Sequence, residues 1–153
     1  MRTFWRISNF SDLSGEGGRI ASGRWHTEGS PIVYLTESPA SAMLERLVHF
    51  VDGNGRMPRT YTLLEIEAPG EIAIESLFTS IEVDWKNRME ITRAVGDLWL
   101  QSTVSLLARV PSAIVPRTWN YLLNPLHADA PQIRIVSEIR ERFDTRLFHS
   151  GPR

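Results

Sequence analysis

The sequence contains no cysteine. Disulfides, thiolate metal sites and a cysteine nucleophile are therefore excluded, and a reducing compartment is compatible. Lysine is nearly absent as well: 16 of the 17 basic residues are arginine, and Lys86 is the exception. An overall leaning towards arginine would account for this. So would a few arginines facing a phosphorylated ligand, because the guanidinium offers a planar fork of donors that an ammonium lacks. Strong net charge is missing too. A formal charge of −1 gives no global field that would draw the chain to nucleic acid or to an anionic membrane. No stretch approaches the ~18 to 20 apolar residues of a membrane span. Met1 to Arg6 holds no apolar run that would serve as a signal peptide, so the cytoplasm is the expected location. His26, His49, His127 and His149 lack metal-ligand spacing, and no His-Glu-x-x-His is present. No metal is expected.

What is there is the composition of one folded domain. The chain has 153 residues, 42% of them hydrophobic and 23% charged, which argues for one core spanning residues 1–153. Internal repeats and low-complexity tracts are lacking. Gly15, Gly17, Gly18, Gly23 and Gly29 concentrate in a loop-rich opening where the backbone can approach another group closely. That opening is not a P-loop, since no Gly-Lys-Ser/Thr follows. It is not a dinucleotide fingerprint of the Rossmann kind, since no strand precedes it and the spacing differs.

Ile32 to Thr36 reads as a mostly buried strand. Ser38-Pro39 then marks a helix start, with Ser38 as N-cap and Pro39 at the first helical position. Met43, Leu44, Leu47, Val48 and Val51 form one apolar stripe at helical spacing, flanked by Glu45 and His49. Tyr61 to Glu67 and Ser80 to Asp84 are strand-like, separated by a Pro69-Gly70 turn. Met89 to Ser102 is expected to be helical with Ile91, Val95, Leu98 and Trp99 inward. Strand-like runs follow at Leu106 to Val110, Ala113 to Val115, Tyr121 to Leu123 and Ile133 to Ile139, punctuated by prolines. Strands outnumber helices without regular alternation, which predicts an α+β fold.

The strongest local arrangement joins three consecutive pieces: Gly23-Arg24-Trp25 in the glycine-rich segment, Tyr34 in the strand after it, and Glu45 in the next helix. A strand-turn-helix unit can bring them to one end of a sheet. A dinucleotide suits such a set. Its pyrophosphate takes the bidentate fork of an arginine, and its rings take flat partners such as Trp25 and Tyr34. Cleaving a nicotinamide–ribose bond develops positive charge on the ribose, which a carboxylate such as Glu45 would stabilise. Nicotinamide leaves as a neutral molecule, so one carboxylate can suffice. Each residue also has an ordinary alternative: Arg beside Trp as a surface stack, Tyr as core, Glu as a solvated helix residue.

A wider pattern adds to this. Arg6, Gly18-Arg19, Gly23-Arg24-Trp25, Gly29, Val33-Tyr34-Leu35-Thr36-Glu37-Ser38-Pro39, Ala42 and Glu45 resemble the opening of a RES domain. So do Gly96-Asp97-Leu98-Trp99-Leu100, Arg109-Val110-Pro111-Ser112-Ala113-Ile114-Val115-Pro116, Asn120-Tyr121-Leu122-Leu123-Asn124-Pro125 with His127, and Phe143-Asp144-Thr145-Arg146-Leu147 further on. The likeness covers nearly the whole chain, with its blocks in order. The Arg, Glu and Ser that name the family correspond to Arg24, Glu45 and Ser112.

The resemblance implies an ADP-ribosyltransferase-like fold of small twisted sheets with flanking helices. It implies the toxin of a bacterial toxin–antitoxin pair, with NAD+ as substrate. The partner would be an antitoxin carrying a helix-turn-helix domain and a segment that covers the active site, with a higher-order toxin–antitoxin complex and no direct nucleic-acid contact. By the same match Arg24 would hold phosphates, Tyr34 would pack on the nicotinamide end, Glu45 would act at the ribose and Ser112 would hydrogen-bond within the pocket. Arg6 and Arg19 would be further phosphate ligands or surface charges. Asn124 and His127 would border the pocket, His127 more as a structural residue than as a proton carrier. The segment between Trp25 and the strand is shorter than is usual in the family, which implies an open rim.

Three functional readings follow. In the first, the nicotinamide–ribose bond is cleaved with water or phosphate as acceptor, depleting NAD+ as a glycohydrolase or phosphorylase would. In the second, ADP-ribose passes to a cellular protein. In the third, an inactive module keeps only a partner-binding surface. An RNA-cleaving toxin would explain the arginines but not the net charge or the missing His/Lys acid–base pair. Ser112 has no nucleophile-elbow glycines around it, which argues against a serine hydrolase.

Overall fold

The computed structural model describes residues 1–51, 58–77 and 84–148, and for Phe50 and Val51 the backbone only. Its strands are β1 (Arg2–Ile7), β2 (Val33–Thr36), β3 (Thr60–Ala68), β4 (Ile74–Ser76), β5 (Leu107–Pro111), β6 (Trp119–Leu123) and β7 (Arg134–Arg142). Its α-helices are α1 (Gly17–Ile20), α2 (Pro39–Val51) and α3 (Met89–Ser102), and short 3-10 turns cover Trp85–Asn87, Ala130–Gln132 and Thr145–Phe148. The strands form one mixed sheet in the order β4-β5-β6-β2-β1-β3-β7. Among the described strands, only the β4–β5 pairing is parallel. The α+β reading holds. None of the described helices is long and apolar enough to cross a membrane.

The sheet has a seam. β1 pairs with β3 along its whole length, from Arg2↔Ala68 to Ile7↔Leu63. Its pairing with β2 comes down to a single position, Trp5↔Thr36. In the sheet, the halves β4-β5-β6-β2 and β1-β3-β7 are therefore joined by one paired position, and α2 packs there against both β1 and β2.

Alternation along the strands sorts the core onto two faces. Val33, Leu35, Leu107 and Leu123 join Phe4, Leu64 and Ile66 in one cluster. Ala108, Val110 and Leu122 point the other way, into a second cluster with Trp25, Trp85, Trp99 and Leu100. Tyr34 packs on that second cluster.

Several local expectations need correction. Ala113 to Val115 is a bend, not a strand. The Ser112 hydroxyl oxygen accepts hydrogen bonds from the backbone N–H of Ile114 (3.1 Å) and Val115 (3.2 Å), which turns the chain after β5. The elements β1, α1 and β4 were not anticipated, so a strand does precede the glycine-rich opening, although the spacing still departs from a dinucleotide fingerprint. Of the expected strand at Ser80 to Asp84, residues 80–83 lie outside the described residues, and Asp84 sits in a turn.

Both long helices start where the sequence places them, and Ser38 caps α2 by accepting from the Ser41 N–H at 3.1 Å. Both are rotated from the face that apolar spacing predicts. In α2, Leu44 and Val48 are exposed, whereas Ala42 is buried and Glu45 and Arg46 are half-buried. The helix presents a polar flank to the seam. In α3, Leu98 is 68% exposed, and the inward face is Thr92, Gly96, Trp99 and Leu100.

Candidate active site

The second sheet face ends in a cleft of about 360 Å3 whose lining includes Arg6, Arg24, Tyr34, Glu45, Val48 and Asn120. A side pocket of about 150 Å3 opens at the β1/β2 seam and shares Arg6, Tyr34, Glu45 and Asn120 with it. A larger void of about 520 Å3 lies near Arg59, Arg142, Phe143 and Phe148, but its lining holds no carboxylate. Volume alone does not mark the site; the convergence of polar groups does.

Arg24 stands on a turn that α3 holds from behind. Arg93 Nε donates to the Gly23 carbonyl at 2.8 Å, and the Thr92 hydroxyl donates to the Arg24 carbonyl at 2.5 Å. Asp97 accepts from both the N–H (2.8 Å) and the hydroxyl (2.7 Å) of Thr27. Gly96 lies between them, directly against the Trp25 carbonyl, where any Cβ would overlap the backbone. With the turn fixed, the Arg24 guanidinium donates to the Lys86 carbonyl at 2.9 Å and lies 5.8 Å from the Trp85 ring centre. One edge of the fork is used, and further donors remain.

Tyr34 comes from the centre of β2. Its hydroxyl accepts from the Trp25 N–H at 3.1 Å and lies 2.7 Å from His26 Nδ1. The other ring nitrogen, Nε2, faces the Gly18 carbonyl at 3.1 Å, and a carbonyl can only accept. Nε2 therefore carries the hydrogen. Nδ1 is an acceptor, serving the Gly23 N–H at 3.2 Å and the Tyr34 O–H. The phenol proton is thus spent inside the protein, and burial pushes the Tyr34 ionisation far up. Tyr34 offers the cleft its ring, not an ionisable oxygen. Gly23 is required here, because a Cβ would collide with the Tyr34 hydroxyl.

Glu45 projects from α2. Its Oε1 accepts from Asn120 Nδ2 at 2.7 Å and, more weakly, from the Ser112 hydroxyl at 3.4 Å. Both donors use the same oxygen. Asn120 Oδ1 is buried and has no hydrogen-bond partner among the described residues. Arg6, half-buried on β1, makes no hydrogen bond or ion pair among the described residues. Burial lowers its guanidinium below the ordinary value, opposed by Asp12 and assisted by nearby Arg46. A half-buried guanidinium without a partner is a ready anion ligand.

The structure thus brings Arg6, Arg24, Tyr34 and Glu45 to one cleft, with Ser112 just behind Glu45. It does not bring in the others. Arg19 is on the surface, 3.2 Å from Glu16 in an ion pair. Asn124 is 1% exposed and ties the chain internally, donating to the Leu100 carbonyl (3.1 Å) and accepting from the Leu126 N–H (3.1 Å). His127 Nδ1 accepts from the Asp129 N–H at 3.0 Å, away from the cleft lining. Trp25 borders the cleft, but it is 2% exposed and its ring packs 5.8 Å from that of Trp85, so it is core and not an open stacking face. His26 and Asn120 were missed. An asparagine in an otherwise apolar strand, at a position facing Tyr34's side of the sheet, was the available signal for Asn120.

These features define an α+β fold with a polar cleft at one end of its sheet. The chain shares the fold of a chain in the crystal structure of the Mycobacterium tuberculosis MbcT–MbcA toxin–antitoxin complex. The TM-score is 0.75 at 21% sequence identity, with 92% of this chain and 84% of that chain covered. Residues 3–145 match the RES domain, and the chain belongs to that family. It is 44% identical over 144 residues to a protein named Toxin Res from Pseudomonas putida, covering 94% of this chain and 98% of the relative. It is 35% identical over 160 residues to the Prs ADP-ribosylating toxin of Sphingobium sp. strain YBL2, covering 97% and 98%.

Proposed function

We propose that this protein is the toxin of a toxin–antitoxin pair and that it acts on NAD+ by breaking the nicotinamide–ribose bond. The observation that carries this reading is the convergence of Arg6, with no hydrogen bond or ion pair among the described residues, a half-used Arg24, the Tyr34 ring and Glu45 on one cleft. The name of the Sphingobium relative, an ADP-ribosylating toxin, supports the same chemistry. The pairing with an antitoxin rests on the toxin–antitoxin complex that shares this fold.

In this reading Arg6 and Arg24 hold the pyrophosphate, and the Tyr34 ring covers the nicotinamide end. Glu45 faces the ribose with Oε2, the oxygen left without a protein partner among the described residues. As the C1′–N bond breaks, its electron pair stays on the nicotinamide nitrogen and neutralises the pyridinium. Positive charge grows on C1′ and its ring oxygen, and the carboxylate stabilises it. An acceptor oxygen then bonds to C1′ and loses its proton to solvent. Ser112 acts on Glu45, not on the substrate.

The purified chain should consume NAD+ and release nicotinamide in stoichiometric amount. NAD+ left intact by the folded chain, both alone and with cell lysate as a source of acceptor protein, would end this proposal and leave a partner-binding module. With water or phosphate as acceptor, the second product is free ADP-ribose or its phosphate ester. The relative's name favours a second reading, transfer to a protein. Labelled NAD+ incubated with cell lysate separates the two: labelled protein bands mean transfer, labelled small molecules mean depletion.

A further inference from the structure

Asn120 is a cleft side chain with one amide atom bonded and the other without a partner among the described residues. Its Nδ2 makes the shortest bond to Glu45, 2.7 Å against 3.4 Å from Ser112. Its Oδ1 is buried with no partner among the described residues. An exchange of the two amide atoms would set an oxygen against the Glu45 oxygen, so the assignment is fixed by the contact. Leaving a buried acceptor empty is destabilising, and native proteins seldom tolerate it without a use. The position is rigid, since Asn120 pairs with Thr36 of β2 on one side and Val110 of β5 on the other. It also lines both the cleft and the seam pocket.

We infer that Asn120 does two jobs at this site: Nδ2 fixes the Glu45 carboxylate, and Oδ1 accepts a hydrogen bond from a ribose hydroxyl of the substrate. The inference rests on the NAD+ reading above. The first job holds Oε1 of Glu45 and turns Oε2 to the cleft. The second explains the empty acceptor, because the ligand group nearest a carboxylate that stabilises a ribosyl cation is the ribose itself, whose hydroxyls are donors.

Two isosteric changes separate the jobs. Asn120→Asp keeps an acceptor for the ribose but removes the donor to Glu45, leaving two carboxyl groups in contact. Such a pair holds a shared proton more tightly than either group alone, and that proton restores the donor as pH falls. Turnover by N120D should therefore drop by about tenfold or more at pH 7.5 and recover towards pH 5, relative to the parent at each pH. Its affinity for the non-cleavable carbocyclic analogue of NAD+ should stay near the parent value. Asn120→Ala removes both jobs: turnover should be low at every pH, and affinity for the same analogue should fall by about five- to tenfold, the worth of one hydrogen bond.

A flat pH profile for N120D at the parent rate overturns the positioning job. An unchanged dissociation constant for N120A overturns the ribose contact. The arms are independent, so either decides if the other variant does not fold, as melting curves will show. A parent chain that consumes no NAD+ overturns the functional proposal itself; a parent that consumes it while both variants match the parent overturns only the role of Asn120.

Discussion

The two long helices have much the same length and the same kind of amphipathic sequence, yet they serve the cleft in different ways. α3 never reaches the reacting groups. It spends Thr92, Arg93 and Asp97 on the backbone of residues 23–27, inserts Gly96 against the Trp25 carbonyl, and buries Trp99 and Leu100 beneath. It is a brace, and its polar groups are consumed by the protein. α2 does the reverse. It turns Glu45 to the cleft, with Val48 beside it in the lining, and leaves Leu44 on the surface, 41% exposed. Even the brace leaves Leu98 68% exposed, because its inward face is set by Thr92, Gly96, Trp99 and Leu100. A helix that delivers a carboxylate must give its inward flank to polar residues, and its apolar residues are displaced outward.

This contrast can be broken in four places. The largest effect is expected at the delivering helix: Glu45→Gln should lower NAD+ turnover by ~10²–10³, the scale for one aligned electrostatic group, with the melting temperature nearly unchanged. Turnover at the parent rate would remove Glu45 from the chemistry. At the brace, Gly96→Ala should act through stability, costing about 1–3 kcal/mol as an overpacked contact, measured by urea denaturation. An unchanged midpoint would mean that α3 is free to shift and is not a brace. Arg24→Lys tests what the brace holds. It should weaken NAD+ binding by about tenfold, as a point charge replaces a fork; equal affinity by calorimetry would take Arg24 off the phosphates. The smallest effect is expected at the displaced stripe, where Leu44→Ser should change stability by less than about 0.5 kcal/mol. A loss well above that would show the face to be covered in the isolated chain.

Much of the local structure was legible. The bounds of α3 were readable from periodicity, and the Ser38-Pro39 start of α2 from capping chemistry, because both depend on neighbours within one turn. Arg24, Tyr34 and Glu45 could be grouped because consecutive elements tend to lie side by side. Arg19 and Asn124 were drawn in by their place in a resembling block, but their partners, Glu16 and the Leu100 carbonyl, commit them elsewhere. Asn120 sat in the same block as Asn124, and spacing could not rank one above the other.

Composition, turn chemistry and hydrophobic period by themselves determined β2, β3, β5 to β7 and the two long helices, the α+β class and the absence of disulfides, because these follow from interactions over a few residues or from a count. The rotation of α2 and α3, the seam at Trp5↔Thr36, the tautomer of His26 and the meeting of Asn120 with Glu45 across 75 positions were decided only in the folded chain. Each depends on which surfaces compete for the same space, and that competition exists only once the sheet has closed around it.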